Sequence, residues 1–329
     1  MAFIRSSATA LPPHRIPQAA ARAAYASIFG NGSKLTVFDH AGVESRCFAH
    51  ELEYYLREQP FSRRNADYVR EGVLLAERAI LAALKRAGRT VRDIDHLVLV
   101  TTTGLATPSL DALLCHKMGF RSDVVRHPLF GIGCAGGVAA VARAAKLLGP
   151  RERALVVSVE LCSQTFRIRD GSLVSLVGAA LFGDGAAALV MEGDAIGSGA
   201  KVVDSRAELF PDSQDVMGWE FVDDGMKLVM SSDIPGVVRE LAMPAVERFR
   251  AGRRVDHWVL HPGGPKVLAA YGLDEAAIAP SRESLRTIGN LSSAAVLFVL
   301  DGVEPKPGQT ALMAAVGPGF GVEMAYLQW

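Results

Sequence analysis

The sequence has no excess of either charge: its 329 residues include 35 Lys+Arg and 35 Asp+Glu. Nothing in that balance points to a nucleic acid or an anionic membrane as partner. Cysteine is scarce. Cys47, Cys115, Cys134 and Cys162 lack the close pairing of a zinc site, and a chain this long needs no disulfide staples. No apolar run approaches the length of a membrane span, and no charged leader precedes an apolar stretch. A reduced, cytoplasmic protein without a metal is expected. Hydrophobic residues make up 50% of the chain and charged ones 21%. That suffices for a large core, in two domains or one large α/β unit.

Glycine organises what is there. Gly131-Ile-Gly-Cys-Ala-Gly-Gly137 opens onto an Ala/Val-rich run, residues 138–148, of helical character. Cys134 stands at the junction, where the positive end of a helix dipole favours thiolate. Elsewhere the spacing predicts helices over residues 18–29, 66–87 and about 109–118, and buried strands over 94–100 and 154–160. Residues 125–130 carry a proline in mid-run and read as a poor buried strand.

The second half repeats the first. Val255-Asp-His-Trp-Val-Leu-His261 echoes Ile94-Asp-His-Leu-Val-Leu-Val100, and Gly289-Asn-Leu-Ser-Ser293 opens an apolar helix as Gly133-Cys134 does. Residues 311–316 match 154–159, and 319–329 match the strand after Phe182. Four elements recurring in one order imply an internal duplication, two βα-rich halves around a shared centre. Cys134 and Asn290 then occupy equivalent turns, and His261 ends a repeated strand. Strand and turn ends are where α/β folds build sites, so the three are expected to converge between the halves. Together they supply a nucleophile, a partner for its thiolate and an amide donor for developing negative charge. Gly131-x-Gly133-x-x-Gly136, with Glu160 after the next strand, also matches a dinucleotide fingerprint. The poor strand before it and the lack of glycines at the duplicated turn speak against that use.

At these residues the chain resembles the thiolase-fold condensing enzymes, specifically type III polyketide synthases of the chalcone-synthase kind. The resemblance rests on Gly133-Cys-Ala-Gly-Gly137, Ser175-Leu-Val-Gly-Ala-Ala-Leu-Phe-Gly-Asp-Gly-Ala186, His261-Pro-Gly-Gly264, Gly289-Asn-Leu-Ser-Ser293 and Gly317-Pro-Gly-Phe-Gly321. It implies an αβαβα fold with pseudo-symmetric halves at 1–196 and 197–329. It further implies a homodimer, with Thr107 where relatives extend a residue into the partner's cavity. In the implied chemistry Cys134 takes an acyl group from acyl-CoA, while His261 and Asn290 hold malonyl-CoA through decarboxylation. No metal or redox cofactor is needed.

The resemblance also assigns a lining. Phe182 matches a gatekeeping phenylalanine, and Leu228 stands where a second one is usual. Cys162 replaces a cavity threonine, Thr165 keeps the next, and Trp219 falls near a usual glycine. Thr102, Glu160 and Ser292 match the set that steers hydrolysis and aldol closure in some relatives. Lys34, His40 and Lys266 are the nearest basic residues for CoA phosphates. The apolar Cys162 and Leu228 suggest a fatty acyl starter and an alkylpyrone or alkylresorcinol product. The rivals are a tetrahydroxynaphthalene-forming synthase using malonyl-CoA alone, a ketoacyl-ACP synthase, the dinucleotide-binding reading and a non-catalytic binding module.

Overall fold

The computed structural model describes residues 1–329. Its strands, in chain order, are β1 (Ala2–Ala10), β2 (His14–Pro17), β3 (Ser45–Phe48), β4 (His96–Val100), β5 (Val125–Leu129), β6 (Arg153–Leu161), β7 (Asp184–Gly193), β8 (Ala200–Leu209), β9 (Met217–Val222), β10 (Gly225–Met230), β11 (His257–Leu260), β12 (Thr310–Gly317) and β13 (Gly321–Gln328). Nine form one mixed sheet in the order β11-β12-β13-β8-β1-β7-β6-β4-β5. Two runs make it up, β1-β7-β6-β4-β5 and β8-β13-β12-β11, joined where β1 pairs antiparallel with β8. Within the runs β4 and β11, β6 and β12, and β7 and β13 hold matching places. These are the pairs that echo each other in sequence. Only the edge strand β5 has no counterpart.

Alternation along the strands separates three cores. Val98 and Val100 of β4, Val156 of β6 and Met191 of β7 share one core with Val259 of β11, Met313 of β12 and Leu327 of β13. Into it pack Val138 and Val141 of helix Gly136–Leu147 and Val296 and Leu297 of helix Ala295–Asp301. The residues between face outward. Leu97, Leu99, Leu155 and Val157 meet helix Phe61–Ala87. Leu260, Leu312, Ala314 and Met324 meet the layer that includes helices Met243–Arg250 and Glu275–Ile288. The layers stack αβαβα, and strands buried on both faces explain the unbroken apolar runs.

The central helix pair accounts for the paired glycines. A Cβ on Gly136 would lie 2.6 Å from Val100 Cγ2, and one on Gly137 2.3 Å from the Ser293 carbonyl oxygen and 2.7 Å from Val296 Cγ1. Any larger residue would push the two helix starts apart.

One expectation holds and one needs correction. Residues 125–129 do form a strand, β5, but it pairs only with β4, and Pro128 is tolerated because the strand is an exposed edge. The long helix begins at Phe61, not near residue 66, directly after Pro60. Its polar opening, Ser62-Arg63-Arg64, masks the start. Hairpin β9–β10 stands outside the main sheet. No helix is long and apolar enough to cross a membrane.

The crowding at Gly137 gives a stability test. Gly137→Ala is expected to lower the unfolding free energy by about 2 kcal/mol, since the clash is with backbone that cannot turn aside. Gly32→Ala, where a Cβ meets nothing within 4 Å, should change it by less than about 0.5 kcal/mol. Denaturant unfolding of both variants measures the difference.

Candidate active site

Cys134 sits in the single turn Gly133–Ala135, immediately ahead of helix Gly136–Leu147. His261 follows the last residue of β11, its backbone N–H donating to Ala314 O at 3.0 Å. Asn290 follows Gly289 at the end of helix Glu275–Ile288. Its backbone locks onto the other half: Asn290 N donates to Leu181 O at 2.8 Å, and Gly183 N donates to Asn290 O at 3.0 Å. One bridge thus fixes Asn290 and Phe182 against each other. A cavity of about 680 Å³ is lined by Cys134, His261 and Asn290 together with Cys162, Phe182, Trp219, Leu228 and Ser292. Eight expected residues therefore meet at one place.

The polar groups there are oriented. Asn290 Oδ1 accepts from Ser292 N at 2.8 Å, which turns Nδ2 away as a donor, 3.3 Å from Gly263 O. Ser292 adopts φ +48°, a left-handed conformation rare for a side-chain-bearing residue. That conformation carries its hydroxyl to 3.9 Å from Cys134 Sγ. His261 is 2% exposed, and neither ring nitrogen has a hydrogen-bond partner.

Electrostatics depart from the expectation of a preformed thiolate. Burial pushes the Cys134 thiol up to about 12, against the opposing pull of the Ser292 hydroxyl. Burial likewise pushes His261 down to about 3. Burial thus works against the charged form of both side chains. Desolvation outweighs the helix dipole here, and Cys134 lies before the α-helical turns begin.

Other expected residues lie elsewhere. Glu160 is fully buried behind the cavity wall, where burial raises its pKa. It accepts from Thr102 N at 3.0 Å, Thr103 Oγ1 at 2.8 Å and the Ser293 hydroxyl. The Thr102 hydroxyl itself has no partner, and Ser292 faces Cys134 instead. The carboxylate is thus held by the Thr102 backbone and by the hydroxyls of Thr103 and Ser293. Thr165 donates to Cys162 O at 2.7 Å and lines an adjoining cavity of about 280 Å³. His40 and Lys266 line an outer apolar cavity of about 1080 Å³, which shares Met230, Ile234, Gly263 and Val267 with the Cys134 cavity. Lys34 does not line it, and its ammonium donates to Gly171 O at 3.2 Å. Thr107 is exposed. No group of three or more His, Cys, Asp or Glu side chains is placed to hold a metal ion.

Sequence reasoning missed Met217, Met230, Ile234 and Val267 in the lining, and Thr103 and Ser293 at Glu160. The methionines and aliphatics carry no chemical signal. Ser293 offered one, as a polar residue opening an otherwise apolar helix.

Comparisons with known proteins agree with this architecture. The family model for the N-terminal domain of chalcone and stilbene synthases matches residues 55–195, and that for the C-terminal domain matches 201–327. The chain is 44% identical to a 1,3,6,8-tetrahydroxynaphthalene synthase of Streptomyces peucetius, over 98% of this chain and 91% of that protein. It is 32% identical to a putative chalcone synthase of Bacillus subtilis, over 100% of this chain and 99% of that protein. The crystal structure of 1,3,6,8-tetrahydroxynaphthalene synthase from Streptomyces coelicolor superposes with a TM-score of 0.94 at 28% identity, covering 99% of both chains. Matched by both family models in order and by relatives over nearly its whole length, the chain belongs to the chalcone and stilbene synthase family and is a type III polyketide synthase, an acyltransferase-type condensing enzyme.

Proposed function

We propose that the enzyme condenses malonyl-CoA units alone, to a naphthalene-type polyhydroxylated product. The likeness to the Streptomyces peucetius tetrahydroxynaphthalene synthase over nearly the whole chain carries this reading. In the cavity wall Trp219 packs against Phe182, ring centroids 6.3 Å apart, which gives that side an aromatic surface. The apolar Cys162 and Leu228 support a second reading, a fatty acyl starter leading to an alkylpyrone or alkylresorcinol.

In either case residues 1–196 bring the nucleophile and 197–329 its two partners. Cys134 attacks a thioester carbonyl as its proton passes to His261, and the imidazolium returns that proton to the departing CoA thiolate. The transfer moves a proton between two side chains whose charged forms burial disfavours. The acyl group is now a thioester on Cys134. The thioester oxygen of a malonyl-CoA then accepts from Asn290 Nδ2 and His261, and CO₂ leaves. Its carbon–carbon bonding pair becomes an enolate that the two donors stabilise. The enolate carbon forms a bond to the Cys134-bound carbonyl, the C–S bond breaks, and the lengthened chain is carried on CoA back to Cys134. These polar steps call for no group beyond the CoA thioesters. His40 and Lys266 are the proposed contacts for CoA at the outer cavity, and a homodimer that places Thr107 at its partner's cavity belongs to the same proposal.

Incubation with malonyl-CoA alone and with a ladder of acyl-CoA starters, followed by mass spectrometry, separates the two readings. A product from malonyl-CoA alone, absent with Cys134→Ala, is expected. Products found only with a starter, and bearing its alkyl chain, would establish the second reading. Asn290→Ala should slow CO₂ release from malonyl-CoA by roughly 100-fold or more, the usual effect of losing one donor to a developing oxyanion. Alkylation of Cys134 by iodoacetamide should be slow at neutral pH and rise about tenfold per pH unit, because only the thiolate reacts and burial raises its pKa. Mass spectrometry of the labelled peptide between pH 6 and pH 9 checks the slope.

A further inference from the structure

Phe182, Trp219 and Leu228 line two cavities at once, the one containing Cys134 and the adjoining one lined by Thr165, Arg167 and Ser175. They form a partition. Two of the three come from hairpin β9–β10, where Trp219 and Leu228 are directly paired across the strands. A two-stranded ribbon outside the main sheet has little stability of its own. Its position must be set by what holds it.

At its tip, the turn Asp223–Asp224 is gripped from two sides. Arg167 Nε donates to both carboxylate oxygens of Asp224 at 3.0 Å, and its Nη2 lies 2.8 Å from Oδ1. Its Nη1 donates to Asp170 at 3.0 Å. Beneath the turn the buried Arg64 donates to the Asp224 carbonyl, and also to Gln164 O at 2.9 Å and Phe166 O at 3.0 Å. Gly225, at φ +133°, makes room for this: a Cβ there would lie 2.8 Å from Arg64 Nη2. The two arginines therefore tie the hairpin tip to residues 164–170, the segment that follows Cys162.

We propose that Arg64 and Arg167, acting through Asp224, are positioning residues that keep the Trp219–Leu228–Phe182 partition shut and so limit the size of the polyketide formed at Cys134. The inference rests on reading the Cys134 cavity as the place where the chain grows. Release of the tip lets the ribbon swing, joins the adjoining cavity to the first and admits a longer chain or a bulkier acyl group.

The test uses Asp224→Ala, Asp224→Glu and Trp219→Gly in the full-length protein. Asp224 has a side chain 57% exposed, so its loss leaves the fold standing. Two readouts are taken. The first is the rate of Cys134 labelling by N-dodecylmaleimide relative to N-ethylmaleimide, with the labelled peptide identified by mass. The second is the size distribution of products from malonyl-CoA. Asp224→Ala is expected to raise the labelling ratio roughly tenfold, the population shift from losing a charge-assisted pair. Trp219→Gly should do the same by removing the partition, and Asp224→Glu should stay near wild type. Products should shift to larger sizes in the first two, with CO₂ release per enzyme unchanged in Asp224→Ala. A folded Asp224→Ala with the wild-type labelling ratio overturns the inference, and so does equal slowing of both reagents. Failure of the wild-type enzyme to consume malonyl-CoA overturns the reading of the cavity and this inference with it. Consumption with an unchanged ratio overturns this inference alone.

Discussion

The contact between Gly137 and the Ser293 carbonyl, where a Cβ would lie 2.3 Å away, is the constraint on which the rest depends. It brings the starts of two central helices, one from each half, to van der Waals distance. Each helix begins with a short turn: the first carries Cys134, and Asn290 lies two residues ahead of the second, Ser292–Ala294. Had the helices been held apart by ordinary side chains, Cys134 and Asn290 would not face a common cavity. The same closeness seals Glu160 behind the wall, because Ser293 sits between the helices and bonds its carboxylate. Packing therefore sets the chemistry here.

How much of this was legible follows from what repeats and what does not. Cys134, His261 and Asn290 could be placed together because each lies at a turn or strand end of a duplicated unit, and duplication converts sequence position into spatial position. The strands were readable because burial on both faces leaves unbroken apolar runs. The hairpin β9–β10 has no partner in the other half, and its sequence mixes exposed Glu220, Phe221 and Lys227 with cavity-lining Trp219 and Leu228. No period there exceeds local noise. Thr102, Glu160 and Ser292 were legible as a set by resemblance, but the hydroxyls that bond Glu160, those of Thr103 and Ser293, were not. A turn residue at φ +48° reverses which side chain faces inward, and composition does not report that.

The buried Cys134–His261 pair shows how desolvation and helix dipole compete. A dipole contributes on the order of 0.3–1 kcal/mol at an exposed helix start, and desolvation of a thiolate opposes it. The Ser292 hydroxyl offsets only part of the cost. A substrate carbonyl or thioester brings its own dipoles into the cavity, so the electrostatic balance differs once it is filled.

The separation of hairpin β9–β10 from the nine-stranded sheet bears on how readily the enzyme can change. Cooperative unfolding is dominated by the sheet and its three cores, while elements with few buried contacts open and vary at little global cost. Residues 217–230 line the wall facing Cys134, and Met217, Trp219, Leu228 and Met230 also pack against the largest core. On the proposed role of the partition, substitutions there would alter what fits while the main sheet still holds Cys134, His261 and Asn290. The fold thus holds Cys134, His261 and Asn290 at strand and helix ends of its layered body and part of their cavity wall on a separate hairpin, so that the wall can change in a few mutational steps.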